Sequence, residues 1–123
     1  MEDGLKDFIR QDRRDFVNVP LDIEEFNDVP MIQFRSWLET AINNGVREPY
    51  AMCLSTLDRE GYPSSRIVFL RELSDEGLIF YTNYSSRKGK ELSAHPKAAM
   101  NFHWEAQDRQ VHLKGEVEKV SKG

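Results

Sequence analysis

The apolar positions of this chain follow two periods, and the change between them falls at Pro49. Before Pro49, apolar side chains recur at helical spacing from the start signal at Asp28 and Pro30 to Gly45, which predicts an amphipathic helix ended by a glycine. The apolar stripe consists of Met31, Phe34, Trp37, Leu38, Ala41 and Ile42. Ordinary core packing explains this stripe. Residues 1–29 are charge-rich and weakly periodic, so we predict an N-terminal arm with a short helix over residues 5–16.

After Pro49 the pattern becomes extended, and five short strands follow. The predicted strands are residues 51–57, 66–73, 78–84, 97–104 and 109–120, with turns at 58–63 and 74–77. A helix over residues 86–94, ended by His95 and Pro96, separates the third strand from the fourth. Short antiparallel strands at close spacing favour a small barrel over a parallel sheet. We therefore expect a mainly β fold with flanking helices, made of the arm and one domain over residues 30–123.

Length and composition narrow the class of protein. The chain has 123 residues, of which 39% are hydrophobic and 31% charged, and this suits one soluble globular domain. No apolar run has the length of a membrane span, and the N-terminus lacks a secretory pattern. The net charge of −4 counts against nucleic acid as the main partner, although small barrels can bind oligonucleotides.

The cysteine and the histidines of this chain indicate neither a catalytic site nor a metal site. Cys53 is the only cysteine, so an internal disulfide is impossible and a reducing cytoplasm is the expected location. It lies within an apolar strand pattern without an activating neighbour, which indicates a buried structural thiol and not a nucleophile. His95, His103 and His112 lack metal-ligand spacing, so we expect no metal site.

Four cations gather in one window of an acidic chain. Arg66, Arg71, Arg87 and Lys88 lie around two strand patterns and a hydroxyl-rich helix start, whereas the whole chain has 17 Lys and Arg against 21 Asp and Glu. The helix start offers free backbone N–H groups, serine hydroxyls and two positive charges to a phosphate. A solvated, charged hairpin and helix cap explain the same residues. These features alone leave both interpretations open.

Five sequence pieces, in register, resemble the pyridoxamine 5′-phosphate oxidase family of flavoproteins. The pieces are Phe34-x-x-Trp37-Leu38, Glu48-Pro49-x-Ala51-Met52, Gly61-x-Pro63-x-x-Arg66-Ile67-Val68, Phe80-Tyr81-Thr82-Asn83 with Ser86-Arg87-Lys88, and Arg109-Gln110-Val111 followed by Gly115-x-Val117-Glu118. Each piece alone is weak, but together they cover nearly the whole chain from Arg13 onward. The resemblance implies the family's FMN-binding split β-barrel over residues 30–123, as an N-terminal portion without the family's C-terminal part.

The resemblance also implies an FMN site. The positions that match the family's flavin contacts are Arg66, Ile67, Val68, Phe69, Leu70, Arg71, Tyr81, Thr82, Arg87, Lys88 and Gln110. Arg66, Arg87 and Lys88 can supply charge-assisted donors to the FMN phosphate, and we expect the three to converge on it. Strand residues 67–69 can offer backbone groups to the isoalloxazine edge, and Gln110 suits the mixed polar rim of the flavin.

For function, the resemblance implies FMN-dependent oxidation of pyridoxamine or pyridoxine 5′-phosphate to pyridoxal 5′-phosphate, with O₂ as acceptor. The cofactor carries the redox chemistry, so no catalytic acid or base is assigned. The expected substrate-binding positions are Arg71 and, in an N-terminal lid segment, Arg13, Arg14, Asp15 and Phe16. Family members build each FMN site between two subunits, so a homodimer is expected.

Three departures from the family's pattern leave the activity open. Arg71 stands where the family usually has lysine, which keeps the charge but alters the geometry toward the substrate phosphate. Phe16 stands where a tyrosine is expected, so a hydroxyl contact to substrate is missing. Beyond Gly123 the family continues with a Tyr–Arg–Ser phosphate cluster and an Arg-x-His element. We therefore expect either a truncated oxidase or a shortened paralogue that binds FMN without efficient turnover.

Overall fold

The computed structural model describes residues 2–12 and 26–119. Within these residues, two α-helices precede the sheet, α1 at Glu2–Gln11 and α2 at Pro30–Asn43, and a third, α3, spans Arg87–Ala94. A 3₁₀ turn covers Glu105–Gln107. The expected lid residues, Arg13, Arg14, Asp15 and Phe16, lie outside the described residues.

α1 begins at Glu2, earlier than predicted. α2 begins at Pro30 as predicted, because a proline in the first turn needs no hydrogen-bond acceptor and its fixed φ suits a helix. Past the end of α2, Gly45 adopts a φ of +73°, the left-handed conformation that glycine tolerates without strain.

Five strands form one antiparallel sheet in the order β3-β2-β1-β4-β5. Their bounds are β1 Ala51–Leu57, β2 Pro63–Ser74, β3 Gly77–Phe80, β4 Lys97–Trp104 and β5 Arg109–Glu116. In the part of the chain that the structure describes, the sheet curls into a half-barrel with three α-helices, so the expected mainly β fold with flanking helices is confirmed.

Three of the described strands have limits other than those predicted: β2 and β3 differ at both ends, and β5 differs at its C-terminal end. β2 begins at Pro63 because the end of β1 pairs with that residue. β3 ends at Phe80, so the prediction of a strand over residues 81–84 is wrong and this segment connects β3 to α3. β5 ends at Glu116 because its partner β4 begins opposite this residue.

The core lies on one face of the sheet, beneath α2 and α3. Side chains alternate along a strand, so Met52 and Leu54 point to this face and are fully buried, whereas Cys53 points away and is only half-buried. The larger cluster consists of Phe34, Leu38, Ala41, Met52, Leu70, Phe102 and Trp104, and the smaller one of Leu54, Leu92 and Ala98. Each large apolar side chain buried here stabilises the fold by about 1.5–3 kcal/mol.

Among residues 2–12 and 26–119, no helix is both long enough and apolar enough to cross a membrane.

Candidate functional site

A buried carboxylate joins the sheet to α3. Glu91 of α3 is 8% exposed, and both of its oxygens accept hydrogen bonds. Oε2 accepts from Thr56 Oγ1 and, at 3.2 Å, from Arg66 Nη2. Oε1 accepts from Arg87 Nε at 3.2 Å. One anion therefore gathers two arginines, one from β2 and the other from α3.

Arg66 uses most of its hydrogen-bonding capacity inside the protein. Its Nη1 donates to Leu54 O at 3.2 Å and to Thr56 Oγ1 at 2.8 Å. Its Nη2 donates to Ser64 Oγ at 2.8 Å and to Glu91. A guanidinium has five N–H groups, so within the described part of the chain only the Nε–H of Arg66 lacks an acceptor. The Arg66 side chain, 23% exposed, is held in one orientation by this network.

Arg87 lies on the outer side of the same cluster, and Lys88 follows it in the first turn of α3. The Arg87 side chain is 75% exposed and reaches Asp58 Oδ2 at 3.8 Å as well as Glu91. Lys88 is half-buried, and its ammonium has no hydrogen-bond or ion-pair partner among the residues that the structure describes. Arg66 retains only its Nε–H, whereas these two cations retain several donors that an added anion can use.

The start of α3 is fixed against the loop before it. Ser86 Oγ donates to Asn83 O at 2.6 Å and accepts from Gly89 N at 3.2 Å, which caps the helix. A Cβ at Gly89 would lie 2.6 Å from Asn83 O and 2.7 Å from Tyr84 O, so only glycine allows this approach. The first-turn N–H groups of a helix have no intrahelical acceptors and carry the positive end of the helix dipole.

The pKa of the Glu91 carboxyl lies below its ordinary value. The hydrogen bond from Thr56 is the largest cause, burial acts in the opposite direction, and Arg87 and Arg66 lower the pKa further. Glu91 is therefore ionised at neutral pH. It offsets part of the positive charge that the two arginines bring to this place.

The edge of β2 beside the cluster is open. β3 pairs with β2 only along residues 70–74, and no described strand lies beyond residues 63–69 on that side. In an antiparallel pair, some residues direct their N–H and C=O groups away from the partner strand. Tyr81, 68% exposed, and Thr82 follow β3, and Thr82 Oγ1 lies 3.5 Å from Ser86 Oγ. Unpaired backbone groups of β2 and the start of α3 therefore belong to one region.

Two expected flavin positions on β2, Val68 and Leu70, point into the core. Only their backbone groups remain for a ligand. Their neighbours Ile67 and Phe69 point to the opposite face, because side chains alternate along the strand. Ile67 is 64% exposed. The guanidinium of Arg71 lies 5.2 Å from the centroid of the Phe69 ring.

Gln110 also lies on the face opposite the core. It accepts a hydrogen bond at 3.0 Å from Asn101 Nδ2, and Asn101 pairs with Cys53 in the sheet register. Its neighbours on β5, Arg109 and Val111, point to the core face. The structure thus brings Arg66 and Arg87 together with Lys88 adjacent, but it places Gln110 and Arg71 on the other side of the sheet.

Comparison with known proteins decides the family. Residues 38–123 match the family model described as pyridoxamine 5′-phosphate oxidase. The chain belongs to the pyridoxamine 5′-phosphate oxidase family. A pyridoxine/pyridoxamine 5′-phosphate oxidase from Ralstonia pickettii is 48% identical over 109 residues, which cover 89% of this chain and 51% of that protein. The corresponding protein from Thermosynechococcus vestitus is 47% identical and is covered to 52%. The chain spans about half the length of the curated relatives it matches.

Solved structures of related proteins share the fold. PhzG from Burkholderia lata 383, in complex with tetrahydrophenazine-1-carboxylic acid, aligns with a TM-score of 0.76 and 32% identity over 80% of this chain and 50% of that chain. A pyridoxamine 5′-phosphate oxidase-related, FMN-binding protein from Nostoc punctiforme aligns with a TM-score of 0.60 and 23% identity over 68% of this chain and 46% of that chain. The second likeness concerns the fold alone. The expected split-barrel fold is confirmed.

The family resemblance pointed to the cations of the cluster but not to the groups that hold them. Sequence reasoning missed Glu91, although it stands four residues after Arg87, the spacing of a helical ion pair. Thr56 and Ser64 gave no local signal, since hydroxyl residues are common in strands. Groups of three or more His, Cys, Asp or Glu that could hold a metal ion do not occur within residues 2–12 and 26–119.

Proposed function

We propose that this chain is the flavin-binding, N-terminal portion of an FMN-dependent pyridoxamine/pyridoxine 5′-phosphate oxidase. One observation carries the proposal: in a chain of this family, Arg66 and Arg87 meet at a single anion beside the start of α3. A place where two arginines already converge on a carboxylate has the chemistry of a phosphate site.

The residues present fit the phosphate of FMN. Lys88 and the exposed part of Arg87 keep donors free among the described residues, and the close approach at Gly89 fixes the start of α3 beside them. Helix N-termini favour bound phosphate through their N–H groups and dipole. The open edge of β2 along residues 67–69 can offer backbone groups to the isoalloxazine ring, with Tyr81 and Thr82 next to it.

Bound FMN would accept a hydride from the 4′ carbon of the substrate, and O₂ would then take up the electrons to give hydrogen peroxide. The substrate proposal is supported by the relatives, which are named pyridoxine/pyridoxamine 5′-phosphate oxidases. This chain's own part is to bind and orient. Arg71, exposed and stacked over Phe69, would hold the substrate phosphate, and the lid positions Arg13, Arg14, Asp15 and Phe16 remain predictions.

A homodimer is part of the proposal. Within one chain, the phosphate-binding cations lie on the α3 side of the sheet, whereas Gln110 and Arg71 lie on the other side. A second copy would allow Gln110 of one protomer to meet the cations of its partner at one flavin. A sedimentation experiment with FMN present tests this arrangement, and a clean monomer would contradict it.

The remaining expectations belong to the same proposal. We place the flavin domain at residues 30–123, with residues 1–29 as an arm, and we place the protein in the cytoplasm. Because the chain spans about half the length of its relatives, a second function is also proposed: a divergent or truncated paralogue that binds FMN without efficient turnover.

Flavin titration of the purified chain tests the proposal. We expect a yellow protein with close to one FMN per chain, and colourless protein that takes up no added FMN would overturn the assignment. Peroxide release on addition of pyridoxamine 5′-phosphate then separates the two functions. Turnover would support the oxidase, whereas bound FMN without peroxide would support the binding module.

A further inference from the structure

We infer that Glu91 is a specificity-determining residue of the phosphate end: an internal anion that takes the place of a phosphate between Arg66 and Arg87 and competes with it. The inference deepens the proposed function and rests on it for the identity of the ligand. It assigns a role to a residue outside the expected set of flavin contacts.

The competition follows from shared donors. Glu91 accepts from Arg66 Nη2 and Arg87 Nε, at 3.2 Å in each case. These groups belong to the two arginines expected to bind the phosphate. Arg66 has only its Nε–H left for a further acceptor within the described residues, because Leu54 O, Thr56 and Ser64 take the others. A phosphate that engages Arg66 with more than one hydrogen bond must therefore displace one of these acceptors, and Glu91 is the one among them that carries a negative charge.

The charges around Glu91 also favour competition between its carboxylate and a phosphate. Arg66 and Arg87 bring two positive charges to one region, with Lys88 next to Arg87 in the sequence, and Glu91, with Asp58 at the rim, offsets part of that charge. A carboxylate close to the ligand repels a dianionic phosphate. In the absence of ligand, the same carboxylate relieves repulsion among the cations. Glu91 should therefore stabilise the ligand-free protein while it weakens phosphate binding.

Two measurements with opposite signs test this role. In Glu91→Gln, the charge is lost and the shape is kept. We expect the Tm of the ligand-free protein to fall, and FMN affinity to rise by roughly three- to tenfold. Riboflavin, which lacks the phosphate, should bind the variant and the wild type equally. A residue with only a structural role would lower both stability and affinity, so weaker or unchanged FMN binding in Glu91→Gln would overturn the inference.

Three further variants separate charge from shape. Glu91→Asp keeps the charge, so its FMN affinity should not rise, and a rise equal to that of Glu91→Gln would contradict the competition. Glu39→Gln makes the same change of net charge on α2, where Glu39 pairs with Arg35 at 3.6 Å. It should leave FMN affinity unchanged, and an equal rise there would also refute the inference. Glu91→Met repeats the removal of charge if Glu91→Gln cannot be purified.

Inorganic phosphate makes the test independent of the flavin. If the wild type takes up no FMN, the proposed function fails, but the effect of phosphate on Tm still decides the role of Glu91. A larger rise in Tm with phosphate for Glu91→Gln than for the wild type supports competition. An equal or smaller rise overturns it.

Discussion

Gly89 approaches Asn83 so closely that a Cβ at position 89 would lie 2.6 Å from the Asn83 carbonyl oxygen. This contact fixes the first turn of α3 against the loop that follows β3. The same turn carries Arg87 and Lys88, so a single glycine determines where two of the proposed phosphate ligands stand.

Gly89→Ala is therefore expected to disturb both stability and binding. The added methyl group meets backbone oxygens that cannot move aside alone, so the start of α3 must shift. Overpacking of this kind typically costs about 1–3 kcal/mol. Urea unfolding should show this loss, and FMN titration should show weaker binding.

Gly115→Ala is the matched control for that variant. A Cβ at Gly115 meets nothing within 4 Å, and the residue is exposed on β5. We expect stability and FMN affinity close to those of the wild type. If Gly89→Ala behaved like Gly115→Ala, the close packing at the start of α3 would not govern the site.

Arg87→Ala tests the phosphate end directly. Loss of one charge-assisted donor to a partly desolvated phosphate typically costs about 1.5–3 kcal/mol, roughly ten- to a hundredfold in affinity. The fold should survive, because the side chain is 75% exposed. Riboflavin should bind wild type and variant almost equally. Equal losses for FMN and riboflavin would show that Arg87 does not contact the phosphate.

Arg35→Ala provides the control for Arg87→Ala. Arg35 is also exposed, at 62%, and also pairs with a glutamate four residues later on its helix. It lies on α2, outside the proposed site. FMN affinity should be unchanged, and a loss similar to that of Arg87→Ala would indicate a general effect of net charge.

Local pattern was enough to predict most elements of this fold. The strand predictions for Ala51–Leu57 and Lys97–Trp104 match the structure residue by residue, since both strands are central and their apolar positions face one core. The end of β3 could not be predicted in this way. Tyr81 and Thr82 favour strands intrinsically, but the pairing of β3 with β2 stops at Phe80, opposite Leu70, although β2 itself continues to Pro63.

The candidate site could be predicted only in part, for a related reason. Arg87 and Lys88 are neighbours in sequence at a recognisable helix start, so the sequence alone predicts that both lie in the first turn of α3. The link from Arg66 to Glu91 depends on which face of β2 turns toward α3. Side chains also alternate along β5, which places Gln110 on the face opposite the core. The sequence predicts these residues as one site, whereas in the structure they lie on opposite faces of one sheet.

The lowered pKa of Glu91 predicts a change of stability in acid. In the unfolded chain the carboxyl titrates near its ordinary value of 4.5, and in the folded chain below it. Well above pH 4.5 both states are ionised and the full contribution of Glu91 is present. As the pH falls through the folded pKa this contribution is lost, because the unfolded state takes up its proton first. Urea unfolding at a series of pH values should show this loss.

Glu91→Gln should remove the part of the acid dependence that belongs to Glu91. Glu39→Gln serves again as the control, since it removes an exposed carboxylate from a surface ion pair. We expect the stability of Glu91→Gln to vary less with pH below 4.5 than that of the wild type or Glu39→Gln. Parallel curves for all three proteins would mean that Glu91 is not held as an ion in the folded state.

The two tryptophans of the chain should differ in how much they contribute to the free energy of unfolding. Trp104 is 1% exposed and its Nε1 donates to the buried Pro49 carbonyl at 2.9 Å. Trp104→Phe leaves that oxygen without its donor, which typically costs about 1–3 kcal/mol. Trp37 is half-buried, with its ring 5.0 Å from the guanidinium carbon of Arg109, and Trp37→Phe keeps an aromatic face there. We expect the larger loss of unfolding free energy for Trp104→Phe, measured by urea unfolding followed by circular dichroism. Equal losses would show that the hydrogen bond to Pro49 does not contribute to stability.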